Sequence, residues 1–165
     1  MRAPEPDSDL DLNLDRVMTA SAAALWRCWT EPELLKRWFC PLPWKVTHAE
    51  IDPRPGGRFN TRMEGPNGEA PANDVCQMDS KGCFLDIDPG RRLVFTDALR
   101  EGWRPNATPF MTGIVTFAPD PDGGTRYRAL VLHHDRETRI RHETMGFEEG
   151  WGTATDQLEA LARSL

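Results

Sequence analysis

The C-terminal segment Glu143–Leu165 constrains the fold more than any other part of the sequence. Its large apolar side chains recur in steps of four and three, which places them on one stripe of a helix. The stripe consists of Phe147, Trp151, Ala154, Leu158, Leu161 and Leu165. Polar residues occupy most other positions, so one face of the helix meets water and the other must cover apolar surface. Because no helical pattern precedes it for roughly a hundred residues, its predicted partner is a sheet.

Three glycines interrupt the start of this predicted helix, namely Gly146, Gly150 and Gly152. A glycine destabilises a helix interior by up to about 1 kcal/mol relative to alanine, so such a run needs a reason. One interpretation is that the helix begins near Trp151, after a loop. The other is that the glycines let the helix backbone lie close to a strand or a ligand, with Met145, Phe147 and Trp151 lining a cavity beside them.

Length and charge limit the classes of protein to consider. At 165 residues the chain fits one domain, which we expect to span residues 10–165 after a disordered acidic tail at 1–9. The net charge is −6 and no run of Lys and Arg occurs, so nucleic acid is not an expected partner. No apolar stretch is long enough to span a membrane, and the acidic N-terminus does not resemble a signal peptide. We therefore expect a cytoplasmic protein without a membrane partner.

The cysteines and the known sequence motifs point to neither a metal nor a cofactor. The four cysteines are Cys28, Cys40, Cys76 and Cys83. They show no C-x-x-C pair and no matching histidine spacing, so we expect free thiols in a reducing compartment. No nucleophile elbow, zinc-protease motif, phosphate-binding loop or dinucleotide fingerprint is present, and no cofactor is expected.

The first part of the domain predicts one strand and two short helices. Alternation of leucines with polar residues over Leu10–Val17 is typical of a half-buried strand. Thr19 or Ser21 can then cap a helix through Ala22–Trp29, and Thr30 can cap a second helix.

The middle of the chain consists of short extended segments separated by Pro, Gly, Asn and Asp. Strands are predicted at Lys45–Ile51, Gly57–Glu64, Asn73–Ser80, Cys83–Ile87, Arg92–Ala98, Phe110–Pro119 and Thr125–Asp135. Short strands joined by such turns favour an antiparallel meander. A curved sheet that grips the last helix fits this order of elements best.

Several motifs occur in a distinctive order. They are Leu25-Trp26…Thr30-Glu31-Pro32…Leu35…Trp38, then Asp52–Phe59, then Pro89–Thr96, and finally Met145-Gly146-Phe147…Gly150-Trp151…Leu158…Leu161. In this order the chain resembles the SRPBCC (START-like, Bet v 1-like) superfamily, in the polyketide cyclase-like branch related to the activator of the heat-shock protein 90 ATPase. The resemblance covers nearly everything beyond the acidic tail. It implies an α+β helix-grip fold, in which a curved antiparallel sheet of six or seven strands wraps around a long C-terminal helix, with two short helices after the first strand.

The resemblance implies a cavity between the sheet and the helix, but the fold alone does not fix what happens there. Most members of the superfamily bind apolar small molecules, a few are enzymes, and the eukaryotic namesake contacts a chaperone. We favour non-catalytic binding of a small apolar or aromatic molecule. The candidate ligand-binding residues are Phe59, Met63, Phe95, Trp103, Phe110, Tyr127, His133, Met145, Gly150 and Trp151.

Two other functions stay open. A cyclase-type or hydrolase-type enzyme could use His133 with Tyr127 or Glu149, although no catalytic motif is visible. Strand alternation places His133 towards the cavity and His134 outwards, and a slip of one residue would exchange them. We expect the nearby His142 to be solvated rather than a metal ligand or proton carrier. The third function is a chaperone-binding module, and the sequence leaves open whether the chain forms a homodimer.

Overall fold

The computed structural model describes residues 4–66 and 75–165. Nine strands occur in these ranges: β1 (Asp11–Met18), β2 (Lys45–Ile51), β3 (Arg58–Pro66), β4 (Val75–Asp88), β5 (Arg92–Thr96), β6 (Leu99–Arg100), β7 (Arg104–Pro105), β8 (Thr112–Pro119) and β9 (Thr125–Leu132). The α-helices of the same ranges are α1 (Ala22–Thr30), α2 (Pro32–Leu35), α3 (Arg136–Thr144) and α4 (Phe147–Arg163). No helix among them is long and apolar enough to cross a membrane.

Seven strands form one antiparallel sheet with the order β1-β9-β8-β5-β4-β3-β2, and β6 pairs with β7 as a separate two-stranded ribbon. Two short helices follow β1, and the long helix α4 closes the chain. The predicted α+β helix-grip architecture is therefore confirmed.

Strand β4 corrects the prediction of two strands at Asn73–Ser80 and Cys83–Ile87. It is continuous from Val75 to Asp88, while residues 73 and 74 lie outside the described ranges. The predicted break between these two strands is wrong, because Gly82 pairs with Phe59 within the sheet. A Cβ atom at Gly82 would lie 2.4 Å from the carbonyl oxygen of Thr96, so glycine is needed here for the close approach of β5.

Of the two predicted N-caps, the one for the first helix is correct and the one for the second is wrong. The Ser21 hydroxyl accepts a hydrogen bond from the backbone N–H of Ala24 and caps α1, as predicted. Thr30 does not cap α2, because its hydroxyl donates to the carbonyl oxygen of Trp26 at 2.8 Å and the N-cap position belongs to Glu31.

The expectation that no helix shortly precedes the C-terminal one is wrong. Helix α3 begins directly after Asp135, whose carboxylate accepts from the backbone N–H of Thr138 at 2.8 Å. The two helices are separated at Gly146, where φ is 94°, a left-handed conformation that favours glycine. Helix α4 then begins at Phe147 rather than near Trp151.

The two halves of α4 have different surroundings. In the C-terminal half, Leu158 and Leu161 are buried in the main apolar core together with side chains of α1 and the sheet. The predicted stripe ends there, because Leu165 lies beyond the helix and is 48% exposed. In the N-terminal half, Trp151 is only partly buried and packs at the edge of the core. This half faces a cavity between the helix and the sheet.

Candidate functional site: a cavity between the sheet and helix α4

A cavity of about 710 Å³ lies between the sheet and the first half of α4. This volume falls within the usual range for small-molecule sites, about 300 to 1,000 Å³. The rings in its wall belong to Trp29, Trp38, Phe39, Trp44, Phe59, Phe95, Phe110, Tyr127, His142, Phe147 and Trp151. Its surface is therefore mainly aromatic.

Strands β3 and β4 supply a regular part of the sheet wall. Their residues pair directly across the two strands, as Phe59 with Gly82, Thr61 with Ser80, and Met63 with Met78. All six residues line the cavity. This follows from strand geometry, because alternate residues of paired strands share one face of a sheet.

Helix α4 supplies the opposite wall through Phe147, Gly150, Trp151 and Ala154. The rings of Phe147 and Trp151 are 5.1 Å apart between centroids. A Cβ atom at Gly150 would meet only Pro41 Cγ, at the ordinary contact distance of 3.8 Å. Gly150 therefore leaves cavity volume open that a larger side chain would occupy.

Exposed methionines border the cavity. Met78 on the sheet side is 51% exposed and Met145, between the last two helices, is 65% exposed. Methionine side chains are flexible and polarisable, and such residues adapt to ligands of different shapes.

Both carboxylates of the described cavity wall are already paired within the protein. Asp97 accepts hydrogen bonds from the backbone N–H groups of Phe110 and Met111 at 2.8 and 3.0 Å. Asp79 forms an ion pair with Arg62 at 2.7 Å. The third charged side chain of this wall is Arg141, whose guanidinium lies 5.4 Å from the ring centroid of Phe110.

Two polar groups lie deep in the cavity wall. The indole N–H of Trp29 is buried and has no hydrogen-bond partner among the described residues. The second is the phenol of Tyr127: burial raises its pKa, and the neighbouring Trp29 N–H partly opposes that rise. The indole nitrogen of Trp29 is itself fully buried, so this N–H does not reach the open part of the cavity.

A pair of histidines lies between β9 and α3. The Nδ1 atom of His133 is 2.9 Å from the carbonyl oxygen of Leu10, and its Nε2 atom is 2.9 Å from Nδ1 of His142. Both side chains are buried, but only His142 lines the cavity. Burial, followed by the proximity of His133, lowers the pKa of His142 to about 4.

The cysteine at the cavity wall is a buried free thiol. Cys40 forms no disulfide, and burial raises its pKa to about 11. A protonated, buried thiol is a poor nucleophile and packs as a small apolar group. Across the described residues, no three or more His, Cys, Asp or Glu side chains come together as a metal site would require.

Eight of the ten candidate residues line the cavity, and Trp103 and His133 do not. Trp103 is 49% exposed and its indole lies against Gly56, where a Cβ atom would be 2.9 Å from the ring. It packs against the β3–β4 region and does not line the cavity. His133 is placed behind His142, and His134 is exposed beside Asp135 at 3.2 Å.

The sequence interpretation missed several wall residues. The most important are Trp29, Trp38 and His142. Trp29 was predicted on the first helix and Trp38 on the buried side of the second, although α2 ends at Leu35. Burial in a core and burial around a cavity look alike in a sequence. His142 was expected to be solvated, but it is buried on α3, and no apolar pattern in this charged segment indicated that burial.

Comparisons with known proteins place the chain in a family. It matches the profile of the family described as activator of Hsp90 ATPase homolog 1-like protein over residues 19–163. A solved protein of Nitrosomonas europaea is 41% identical and superimposes with a TM-score of 0.86, covering 96% of this chain and 97% of its own. For a protein of Mycobacterium smegmatis the identity is 28%, the TM-score 0.73 and the coverage 93% and 90%.

An AHSA1-like protein of Aeromonas hydrophila shares the fold at 20% identity, with a TM-score of 0.67 and coverage of 94% and 93%. Among curated proteins, none matches the chain. The profile match extends over most of the chain, and the 41% identity to the Nitrosomonas europaea protein is spread over nearly its full length. The chain belongs to the activator of Hsp90 ATPase homolog 1-like family.

Proposed function

We propose that this protein binds a small apolar or aromatic molecule in the cavity between the sheet and α4. The observation that carries the proposal is the cavity itself, with a volume of about 710 Å³ and a mainly aromatic wall. Burying apolar surface against such a wall provides roughly 25 cal/mol for each Å² removed from water. Flat ligands gain further from edge and face contacts with the surrounding rings.

The polar groups of the wall support the same class of ligand. Asp79 and Asp97 are paired within the protein and Arg141 also lines the wall, so a cationic ligand would find little compensation for its lost hydration. Thr61, Ser80 and Thr155 also line the wall, and their hydroxyl groups suit a ligand with neutral polar atoms. The proposal is thus an apolar body with one or a few neutral polar atoms.

A fluorescence titration with N-phenyl-1-naphthylamine, a neutral apolar dye, tests this function. We expect saturable enhancement with the wild-type protein and binding at least about tenfold weaker in Gly150→Leu, equal to a loss of about 1.4 kcal/mol. The reason is that the new side chain extends into cavity volume that is open in the wild type.

Ala160→Leu provides the matched control, because it adds a leucine to the exposed face of the same helix. It should leave dye binding unchanged. Absence of saturable binding to the folded wild-type protein would contradict the proposal. Equal binding by a folded Gly150→Leu variant would place the dye at another site and contradict it as well.

A further inference from the structure

We propose that His142 is the recognition point for a hydroxyl group on an aromatic ligand, with its Nε2 atom accepting the hydrogen bond. This inference rests on the proposed function, because it specifies the chemistry of a molecule in the same cavity. His142 lines the cavity, and its ring contacts those of Phe110 and Phe147 in the wall.

When both rings are neutral, the hydrogen-bond partners of the two histidines fix where their protons lie. A carbonyl oxygen can only accept, so Nδ1 of His133 must donate to Leu10, at 2.9 Å. In a neutral His133 the Nε2 atom then carries a lone pair and accepts from Nδ1 of His142, also at 2.9 Å. In a neutral His142 the remaining nitrogen, Nε2, must therefore carry a lone pair. The carbonyl group of Leu10 thus determines the tautomer of His142, because His133 is hydrogen-bonded to both.

The Nε2 atom of His142 is available to a ligand. Among the described residues it has no hydrogen-bond partner, and the Nδ1 side of the ring faces His133, which does not line the cavity. Burial favours the neutral ring, consistent with the pKa of about 4. The site is therefore a neutral acceptor at neutral pH.

The surroundings select among the donors that could bind. The ring centroid of Phe110 is 4.8 Å from that of His142, and that of Phe147 is 5.1 Å away, so the molecule next to Nε2 meets apolar faces. The guanidinium of Arg141 lies 5.4 Å from the Phe110 centroid and disfavours a cationic donor. A carboxylate has no proton to donate. A neutral hydroxyl attached to an aromatic ring satisfies all three conditions.

Competition between two probes of similar shape tests this on the wild-type protein. 2-Naphthol carries the hydroxyl, and 2-methoxynaphthalene replaces its proton with a methyl group. Both should displace N-phenyl-1-naphthylamine at pH 7, with 2-naphthol binding about 3-fold to 10-fold more tightly, the effect of one net hydrogen bond. Equal affinities would overturn the role of His142 and leave the proposed function intact. Binding of neither probe nor dye would overturn both.

Substitutions test whether His142 causes the tighter binding of 2-naphthol. His142→Phe keeps an aromatic ring but removes the acceptor, so the advantage of 2-naphthol should fall to within about twofold, less than one net hydrogen bond. His134→Phe is the matched control, since it makes the same replacement at an exposed histidine, and it should keep the full advantage. An unchanged advantage in folded His142→Phe would overturn the inference.

A second measurement decides the question if His142→Phe does not fold. In wild-type protein labelled with ¹⁵N-histidine, NMR should find His142 protonated at Nδ1 and unprotonated at Nε2 at pH 7. Addition of 2-naphthol should shift the Nε2 resonance, and 2-methoxynaphthalene should shift it much less. A proton on Nε2 in the free protein, or equal shifts with both probes, would refute the proposal.

Discussion

At the scale of single residues, the cavity combines groups whose environment differs sharply from that of an exposed side chain. His142 is buried among aromatic rings, and the buried N–H of Trp29 has no partner among the described residues. The sequence could identify Phe59 and Met63 as wall residues, because strand alternation alone puts them on one face. It could not identify Trp29 or His142 in this role, since their position depends on how α1 and α3 pack on the sheet.

The buried state of His142 predicts a pH dependence of stability. Its pKa in the folded protein is about 4, against 6.5 for an unperturbed histidine, with burial as the main cause. Between these values the unfolded chain binds more protons, so the free energy of unfolding is highest above pH 6.5 and falls as the pH decreases towards 4. The contribution of His142 should decrease by about 1 to 2 kcal/mol between pH 7 and pH 5.

Urea unfolding of the wild type and of His142→Gln at both pH values measures this contribution. The variant should lose less stability on acidification than the wild type does, whereas His134→Gln, at an exposed site, should behave like the wild type. An identical loss in the wild type and His142→Gln would show that this ring does not titrate with folding.

At the scale of elements, the turn between α3 and α4 positions both the histidine and the helix wall of the cavity. The sequence predicted α4 from its apolar stripe, but α3 has no such stripe and is dominated by charged residues. Its remaining signals were the cap at Asp135, an acidic first turn with Glu137 and a basic last turn with Arg141. An apolar stripe is therefore enough to predict a helix that covers a core. Helix α3 buries few side chains, so only its cap and the charges of its first and last turns could have indicated it.

Two glycines one turn apart in this region should respond oppositely to alanine. Gly146 has a φ of 94°, so Gly146→Ala should lower the free energy of unfolding by about 1 to 2 kcal/mol through backbone strain, although the space around it is open. Gly150 lies inside α4 with room for a Cβ atom, so Gly150→Ala should raise the free energy of unfolding by up to about 1 kcal/mol. Chemical unfolding of the two variants measures both effects. Destabilisation of both would show that Gly150 is also conformationally constrained.

At the scale of the whole molecule, the groove between the sheet and α4 is divided into a packed end and an open end. Leu158 and Leu161 fill the packed end with side chains of the sheet, while the small residues Gly150 and Ala154 face the open end. The sequence predicted the sheet, the gripping helix and most of the candidate wall residues from periodicity and family resemblance. It could not predict the volume of the cavity between the sheet and α4. That volume depends on the distance between the packed elements and not on the sequence pattern within each element.

The methionines allow the most direct test of where a ligand binds. Met63, Met78, Met111 and Met145 line the cavity, whereas Met18 is buried in the core and does not. In protein carrying ¹³C-labelled methionine methyl groups, we predict that N-phenyl-1-naphthylamine shifts the NMR signals of these four residues at saturation and leaves that of Met18 nearly unchanged. Saturable binding of the dye without shifts of the four cavity methionines would contradict the assignment of this cavity as the binding site.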